Sequence, residues 1–309
     1  MKRIVVIILI VSVSVALFGQ GCSDAGFCTM GAMKPDQPFN KKIAIKFRSM
    51  DLSFYRGTTA LTPIIFVATV DMNFSLNSKN TIQVKLPYQA VTGRLANTSG
   101  IGDISLCVTR NIYVSDQFDL NLSVGGKIRS NKSDKSDKGF PLPMYYQTSL
   151  GTYDLISGIS LINRKWLFAT GIQVALNKNN NQFLWGAWEN SMENQSYIRK
   201  YAIAKQLKRG IDVMLRIERN FRFSRLNFTL GLLPIYRITN DEITSPLGIR
   251  EKPVGAKGLA LSGIFSTGFR FTARSGIKLL LGRKFVQRDE NPDGLTRNFV
   301  SSLTYNYRF

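Results

Sequence analysis

The side chains that most often do chemistry in proteins are unevenly represented in this chain. Of its 309 residues, 41 are Lys or Arg, 20 are Asp or Glu and none is His, so the formal net charge is +21. Without imidazole there is no Ser-His-Asp or Cys-His relay, no His-ligated zinc or haem and no histidine general base. We therefore predict no catalytic residue, no metal site, no cofactor and no enzymatic activity.

Charged residues instead recur on one face of segments whose other face is apolar. Asp71 lies between Val70 and Met72, and Arg216 lies between two further apolar residues. This alternation predicts β-strands with one polar and one apolar side. Twelve charged residues on or beside the polar faces form a predicted pore lining. They are Asp71, Lys85, Asp103, Asp119, Lys127, Arg129, Asp212, Arg216, Glu218, Arg270, Lys278 and Arg308.

The elements that carry this alternation are long strands joined by links of alternating length. The runs 64–76 and 298–309 have ten or more residues, whereas strands typically have ~5–6 residues. A transmembrane β-strand needs ~9–11 residues, with its apolar side facing lipid. Short polar links alternate with long ones, so the chain is expected to be all-β. We predict a single transmembrane antiparallel β-barrel of about twelve strands over residues 42–309, with both termini on the periplasmic side.

The strand count depends on residues 197–207. Their apolar spacing permits a short helix within a loop. A full strand there would make the count odd, unlike bacterial single-chain barrels. The same long link, which begins at Asn177, carries large aromatic residues that either fold inward as a constriction or outward as a contact surface. They are Phe183, Trp185 and Trp188.

The N-terminus predicts export from the cytoplasm. Lys2 and Arg3 precede an apolar run over 4–18, which is shorter than the ~20 residues of a spanning helix. We predict a signal peptide over 1–19, with cleavage before Gln20, and a short periplasmic segment over 20–41. A transmembrane anchor is the alternative.

Three cysteines have separate interpretations. Cys22 and Cys28 lie close together in the exported segment, where we predict a periplasmic disulfide. Lipid attachment at Cys22 is one alternative. A two-Cys metal clip is another, although neither a His nor a second Cys pair completes a tetrahedral site. Cys107 lies on the polar side of its strand and is assigned no chemistry.

The C-terminal residues carry a resemblance at the level of a protein class. The last strand has aromatic residues at every second position and ends on Phe, which resembles the terminal signature of Gram-negative outer-membrane barrels. The resemblance implies an outer-membrane location and an assembly signal that the barrel-assembly machinery reads. That signal would consist of Tyr305, Tyr307 and Phe309.

Two short motifs resemble those of a narrower family. Gly-Ile-Gly-Asp over 100–103 and Leu-Gly-Thr-Tyr-Asp over 150–154 look like the paired Gly-Asp and Leu-Gly-Thr elements of transporter-like barrels of phenol-degradation pathways. The resemblance covers about residues 42–309. It implies an outer-membrane transporter but does not identify the substrate.

Charge and the missing catalytic groups leave two classes of function. Removing Lys2 and Arg3 with the signal peptide lowers the net charge from +21 to +19. In an exported barrel we expect the partners of this charge to be outer-membrane lipids and lipopolysaccharide phosphates rather than nucleic acid. Seven basic and five acidic residues in the predicted lining favour a passive channel for small, anionic solutes. A non-conducting structural or adhesion barrel is the alternative.

Overall fold

The computed structural model describes Met30, Met33 and residues 46–309. Twelve long strands form one antiparallel sheet, which closes because β1 pairs with β12 as well as with β2. The predicted fold class and strand number are confirmed. The strands are β1 Lys46–Thr58, β2 Ile64–Ser75, β3 Asn80–Thr92, β4 Asn97–Ile101 with Ile104–Val114, β5 Asp119–Ile128, β6 Asp154–Ile162, β7 Trp166–Ala175, β8 Asp212–Arg222, β9 Leu226–Arg237, β10 Gly258–Arg270, β11 Ser275–Val286 and β12 Phe299–Arg308.

Connections alternate in length around the barrel, as the sequence predicts. Tight turns at one end span 76–79, 115–118, 163–165, 223–225 and 271–274. The other end carries the longer loops, of which 129–153, 176–211 and 238–257 are the largest. The connection after β3 departs from the predicted alternation, because residues 97–101 pair with β3 and leave only a turn at 93–96. We call the two ends the short-turn end and the long-loop end.

The long loops contain only short regular elements. Met144–Tyr146 and Trp185–Trp188 are 3₁₀ turns, and two-residue hairpin strands pair Ser136–Asp137 with Phe140–Pro141 and Ile243–Thr244 with Arg250–Glu251. Residues 197–207 belong to a loop, which opens on the helical turn Gln195–Ile198. The Asn194 side chain caps that turn by accepting from the Ser196 N–H. No helix in the described part of the chain is long and apolar enough to cross a membrane.

The two faces of the sheet differ in chemistry. Along β2, Phe66 is exposed outward, whereas Ile65 and Asp71 on the other face are buried. The same pattern in the other strands gives the barrel an apolar outer wall that carries most of the large exposed hydrophobic residues. A closed sheet satisfies its own backbone hydrogen bonds, so an apolar outer wall fits the interior of a bilayer.

The C-terminal aromatic residues close the sheet at the short-turn end. The Phe309 N–H donates to the Arg48 carbonyl at 3.0 Å. Its ring lies 4.5 Å from the ring of Phe47 and 4.9 Å from that of Tyr307. The last residue therefore joins the two strands whose pairing completes the barrel.

The predicted signal peptide over 1–19 and the predicted disulfide between Cys22 and Cys28 lie outside the described residues. Of the predicted segment 20–41, the structure describes Met30 and Met33, and both are buried inside the barrel. The proposed domain boundaries stay predictions.

Deleting Phe309 is expected to lower the yield of folded barrel in the outer membrane. The deletion removes two ring contacts, each contributing about 0.5–1.5 kcal/mol, from the pairing that closes the sheet. Folded and unfolded protein are separated by heat-modifiable migration on electrophoresis. Phe271→Ala, which removes an exposed ring from a short turn, is the matched control. Equal folded yields for the parent and the deletion would contradict a role for Phe309 in assembly.

Candidate functional site: the lumen and its long-loop end

The inner face of the barrel carries most of the charged residues predicted from alternation. Asp103 lies in the break within β4, and Arg129 follows the last residue of β5, where it stacks over Tyr153. Whether any of the twelve lines a conducting pore stays a prediction. Ten of them occupy inward positions on the strands, namely Asp71, Lys85, Asp119, Lys127, Asp212, Arg216, Glu218, Arg270, Lys278 and Arg308.

Several inward charges neutralise each other inside the wall. Arg216 donates from Nε to Glu218 Oε1 at 2.7 Å, and the two side chains are 0% and 1% exposed. Lys85 Nζ lies 3.8 Å from the Asp71 carboxylate, which also accepts from Gln83. Each pair joins opposite charges at short distance, so it contributes little net field to the lumen.

Basic residues remain exposed at the short-turn end of the lumen. Arg270 and Arg308 occupy inward positions and are solvent-exposed, and Lys278 lies one step deeper on β11. Arg222, on the inward face of β8, is exposed at the same end. Sequence reasoning missed Arg222, although the alternation that identified Arg216 extends to it.

The middle of the lumen holds an apolar contact with the N-terminal segment. Met30 and Met33 pack against inward residues of β6, β8, β9 and β10, including Met214. Met33 lies against Gly158 and Gly171, which face each other on β6 and β7. A Cβ at Gly158 would lie 3.0 Å from Met33 Sδ, and one at Gly171 would overlap that atom. The two glycines therefore form the seat for this side chain.

A packed apolar cluster lies at the long-loop end. Inward residues of β2 and β3, such as Ile65 and Val91, contact Phe183, Trp188 and Tyr201 of the loop 176–211. The loop therefore folds inward onto the barrel, and whether it constricts a conducting pore stays a prediction. The indoles are hydrogen-bonded too, since Trp188 Nε1 donates to the Pro141 carbonyl at 2.8 Å and Trp185 Nε1 to that of Tyr201 at 2.8 Å.

A buried cluster of arginines and aspartates lies beside this apolar cluster. At its centre, the Arg237 guanidinium donates to Asp212 at 2.7 and 2.8 Å, to Asp241 at 2.7 Å and to Asp293 at 2.8 Å. Three carboxylates thus surround one guanidinium. We call the whole set the arginine–aspartate cluster. Its members are Asp154, Arg209, Asp212, Arg237, Asp241, Arg288 and Asp293.

The arginine–aspartate cluster joins the long loops to the wall. Arg209, from the loop 176–211, donates to Asp154 at 2.9 Å and to Asp212 at 3.2 Å. Arg288, from the loop 287–298, lies 3.3 Å from Asp293 and 3.6 Å from Asp241. Breaking a buried pair by removing one partner typically costs about 3–5 kcal/mol. The cluster therefore fixes three loops over the lumen.

The pKa values of two aspartates in the loops shift in opposite directions in this environment. Burial alone would raise the pKa of Asp293, but the guanidinium groups of Arg237, Arg288 and Arg209 outweigh burial and hold the pKa below its usual range. Burial raises the pKa of Asp241, and nearby Asp293 raises it further against the attraction of Arg237. Asp293 therefore remains charged under conditions in which Asp241 takes up a proton.

The two family-like motifs contact each other at the same end. Asp103 accepts from the Leu150 N–H at 2.9 Å and from the Ser149 hydroxyl. Gly151 has φ +71, and a Cβ there would lie 2.8 Å from the Lys132 carbonyl oxygen, so a residue without a side chain is required. Asp103 thus holds the loop 129–153 by hydrogen bonds and positions the start of β6.

Sequence reasoning missed most of the arginine–aspartate cluster. Arg237 and Asp154 follow the alternation of β9 and β6, so the sequence pattern could have identified them. Arg209, Asp241 and Asp293 lie in loops without periodicity, so no local pattern marks them. In the described part of the chain, no group of three or more Cys, Asp or Glu residues is arranged to hold a metal ion.

Asp293→Asn is expected to lower the free energy of unfolding by about 3–5 kcal/mol, because it removes the negative charge that the buried guanidinium groups of Arg237 and Arg288 share. Asp241→Asn is expected to cost only about 1 kcal/mol, because burial already disfavours the charged form. The raised pKa of Asp241 means that the folded state binds this proton before the unfolded state does, so acidification stabilises the parent but not Asp241→Asn and widens the gap between them. Because the pKa of Asp293 is depressed, this residue continues to contribute to the free energy of unfolding until much lower pH.

These differences are measured by thermal unfolding at neutral and mildly acidic pH, followed by heat-modifiable migration. Asp289→Asn, in the same loop as Asp293 but exposed, controls for the loss of one negative charge. Equal destabilisation by Asp293→Asn and Asp289→Asn would show that the arginine–aspartate cluster does not hold the loops.

Comparison with known proteins finds structural likeness at low sequence identity. No family model and no curated protein matches the chain. The NanC porin is 9% identical, with 85% of this chain and 98% of that chain covered and a TM-score of 0.45. The translocator domain of autotransporter NalP from Neisseria meningitidis is 10% identical, with 85% and 88% covered and a TM-score of 0.46. Outer membrane phospholipase A from Escherichia coli is 8% identical, with 86% and 98% covered and a TM-score of 0.42.

Likenesses at this level carry no argument about activity, so the expected absence of enzymatic activity stays a prediction. The location follows from the molecule itself. A closed antiparallel barrel with an apolar wall, short turns at one end and long loops at the other is an outer-membrane β-barrel. In that class the long-loop end faces the exterior and the short-turn end faces the periplasm.

Proposed function

We propose that this barrel is a passive channel for small solutes, and that it favours anions. One observation carries the proposal. The inner wall accommodates Met30 and Met33, which belong to a chain segment outside the sheet. A lumen that holds these two methionines has room for a small solute once they move away.

The preference for anions rests on the exposed charges of the lumen. The paired charges deeper inside largely cancel, whereas Arg222, Arg270 and Arg308 are exposed at the short-turn end. Low-dielectric walls focus the field of such a basic end and raise the local concentration of anions. Anions entering from the periplasmic side would meet these arginines first.

A second function, a non-conducting structural or adhesion barrel, is favoured by the long-loop end. There the apolar cluster around Tyr201 and the arginine–aspartate cluster leave several large side chains, such as Phe183 and Arg237, almost completely buried. A barrel that keeps this end closed would present its loops as a fixed outer surface. The two functions differ in whether current flows.

Gly171→Ala tests the channel. The added Cβ would overlap Met33 Sδ and is expected to displace Met33 from its seat, which raises the open probability in planar bilayers. Gly186→Ala is the control, because its new Cβ would meet only a Glu189 oxygen, at 3.7 Å. Heat-modifiable migration first shows that both proteins are folded. If neither the parent nor Gly171→Ala then carries current at any voltage, the structural barrel replaces the channel.

The sign of the selectivity is tested by reversal potentials in a salt gradient. Replacing Arg222, Arg270 and Arg308 together by Gln is expected to weaken the preference for anions, and the preference should also fall as salt rises, because the Debye length is ~10 Å at 0.1 M. Arg219→Gln removes a positive charge from the outward face of β8 and serves as control. Cation selectivity of the parent at low salt would refute the proposed sign.

A further inference from the structure

The charged residues on the outer wall all have one sign. Apart from Arg48, which lies at the β-bulge of β1, the outward positions of the twelve strands carry four charged side chains, and all are arginines. No Asp or Glu occupies an outward position among the described strand residues. The four are Arg56 on β1, Arg110 on β4, Arg219 on β8 and Arg283 on β11.

Arg56 and Arg110 are the two outward arginines that have no charged or aromatic partner among the described residues, and of the two only Arg56 lies beside a groove. The Arg56 side chain is exposed, and no carboxylate or aromatic ring among the described residues pairs with it. Arg219, by contrast, stacks over Trp166 at 4.9 Å and Phe221 at 5.7 Å. A lipid-facing Arg costs about 2–4 kcal/mol at the bilayer midplane and ~0–1 near an interface. An anionic headgroup would supply the missing partner.

An apolar groove of about 300 Å³ opens beside Arg56 on the outer wall. It exists because small residues alternate with large ones. Ala68 lies between Phe54 and Tyr88 in one row across the strands, and Ala90 follows Phe66 in the next row. Ser301 flanks Arg56 on the other side. The floor is thus flat and apolar, between aromatic side walls, as an acyl chain requires.

The position of Arg56 selects the leaflet. It lies two residues before the end of β1 at the long-loop end, roughly 7 Å from that end. Arg283 lies one row closer to that end and two strands away, since it pairs with Phe299, which pairs with Thr58. Two strand spacings are roughly 10 Å. One phosphorylated headgroup therefore lies within reach of both long side chains.

We propose that this wall groove binds the lipid A part of lipopolysaccharide. A phosphate accepts hydrogen bonds from the Arg56 guanidinium, and an acyl chain lies on Ala68 and Ala90 between the rings of Phe66 and Tyr88. The long-loop end faces the outer leaflet, whose anionic lipid is lipopolysaccharide. This site is independent of whether the lumen conducts.

The experiment measures which lipids remain bound to the full chain. The barrel is refolded into nanodiscs that contain bisphosphorylated lipid A, dephosphorylated lipid A or phosphatidylglycerol in phosphatidylcholine. It is then transferred to detergent, and the retained lipid is counted by native mass spectrometry. Arg56→Gln removes the charge and Ala90→Phe fills the groove. Arg110→Gln removes an exposed outward arginine from the half of β4 nearer the short-turn end.

Bisphosphorylated lipid A is expected to be retained about tenfold more than its dephosphorylated form, as one charge-assisted contact implies. Arg56→Gln should abolish this difference, Ala90→Phe should lower retention of both forms, and Arg110→Gln should change neither. If Ala90→Phe does not show heat-modifiable migration, Ala68→Leu takes its place. Equal retention by the parent and Arg56→Gln, or of lipid A and phosphatidylglycerol, would overturn the site.

Discussion

A strand edge without hydrogen-bond partners is not tolerated in hydrocarbon, and every other feature of this protein depends on that constraint. Closure between β1 and β12 removes the edge, and the ring contacts of Phe309 with Phe47 and Tyr307 lie where the closure ends. Once the sheet is closed, alternation assigns each side chain either to lipid or to the lumen. The apolar wall, the inward charges and the asymmetry of the two ends all follow from this division.

Inside the closed sheet, two kinds of contact fill the space that the strands enclose. Apolar contact dominates at mid-height, where Met33 rests on paired glycines, and buried charge dominates at the long-loop end, where Arg237 joins carboxylates from two loops and the wall. The number of charges in the cluster is nearly balanced, which is the condition under which buried ions are tolerated. The described part of the lumen thus has apolar packing around Met33 and buried charges at the long-loop end.

The sequence predicts the wall far better than the ends. A period of two is local, so the inward positions of Asp71 and Arg216 were readable from their neighbours alone. The seat of Met33 was not readable, because it depends on residues more than a hundred positions apart. The same holds for the bond between Asp103 and Leu150, where only the resemblance to paired motifs hinted that the two segments belong together.

The contact with Met30 and Met33 and the arginine–aspartate cluster differ in strength, and this difference decides which of the two opens. Burying the two side chains of Met30 and Met33 stabilises by about 3–6 kcal/mol in all, whereas opening the arginine–aspartate cluster separates several buried pairs that cost about 3–5 kcal/mol each. Because the pKa of Asp293 is depressed, mild acid does not weaken the cluster through that residue. The N-terminal contact therefore yields first, and a channel function requires that a solute, after passing Met33, finds a path beside the arginine–aspartate cluster while the cluster stays intact.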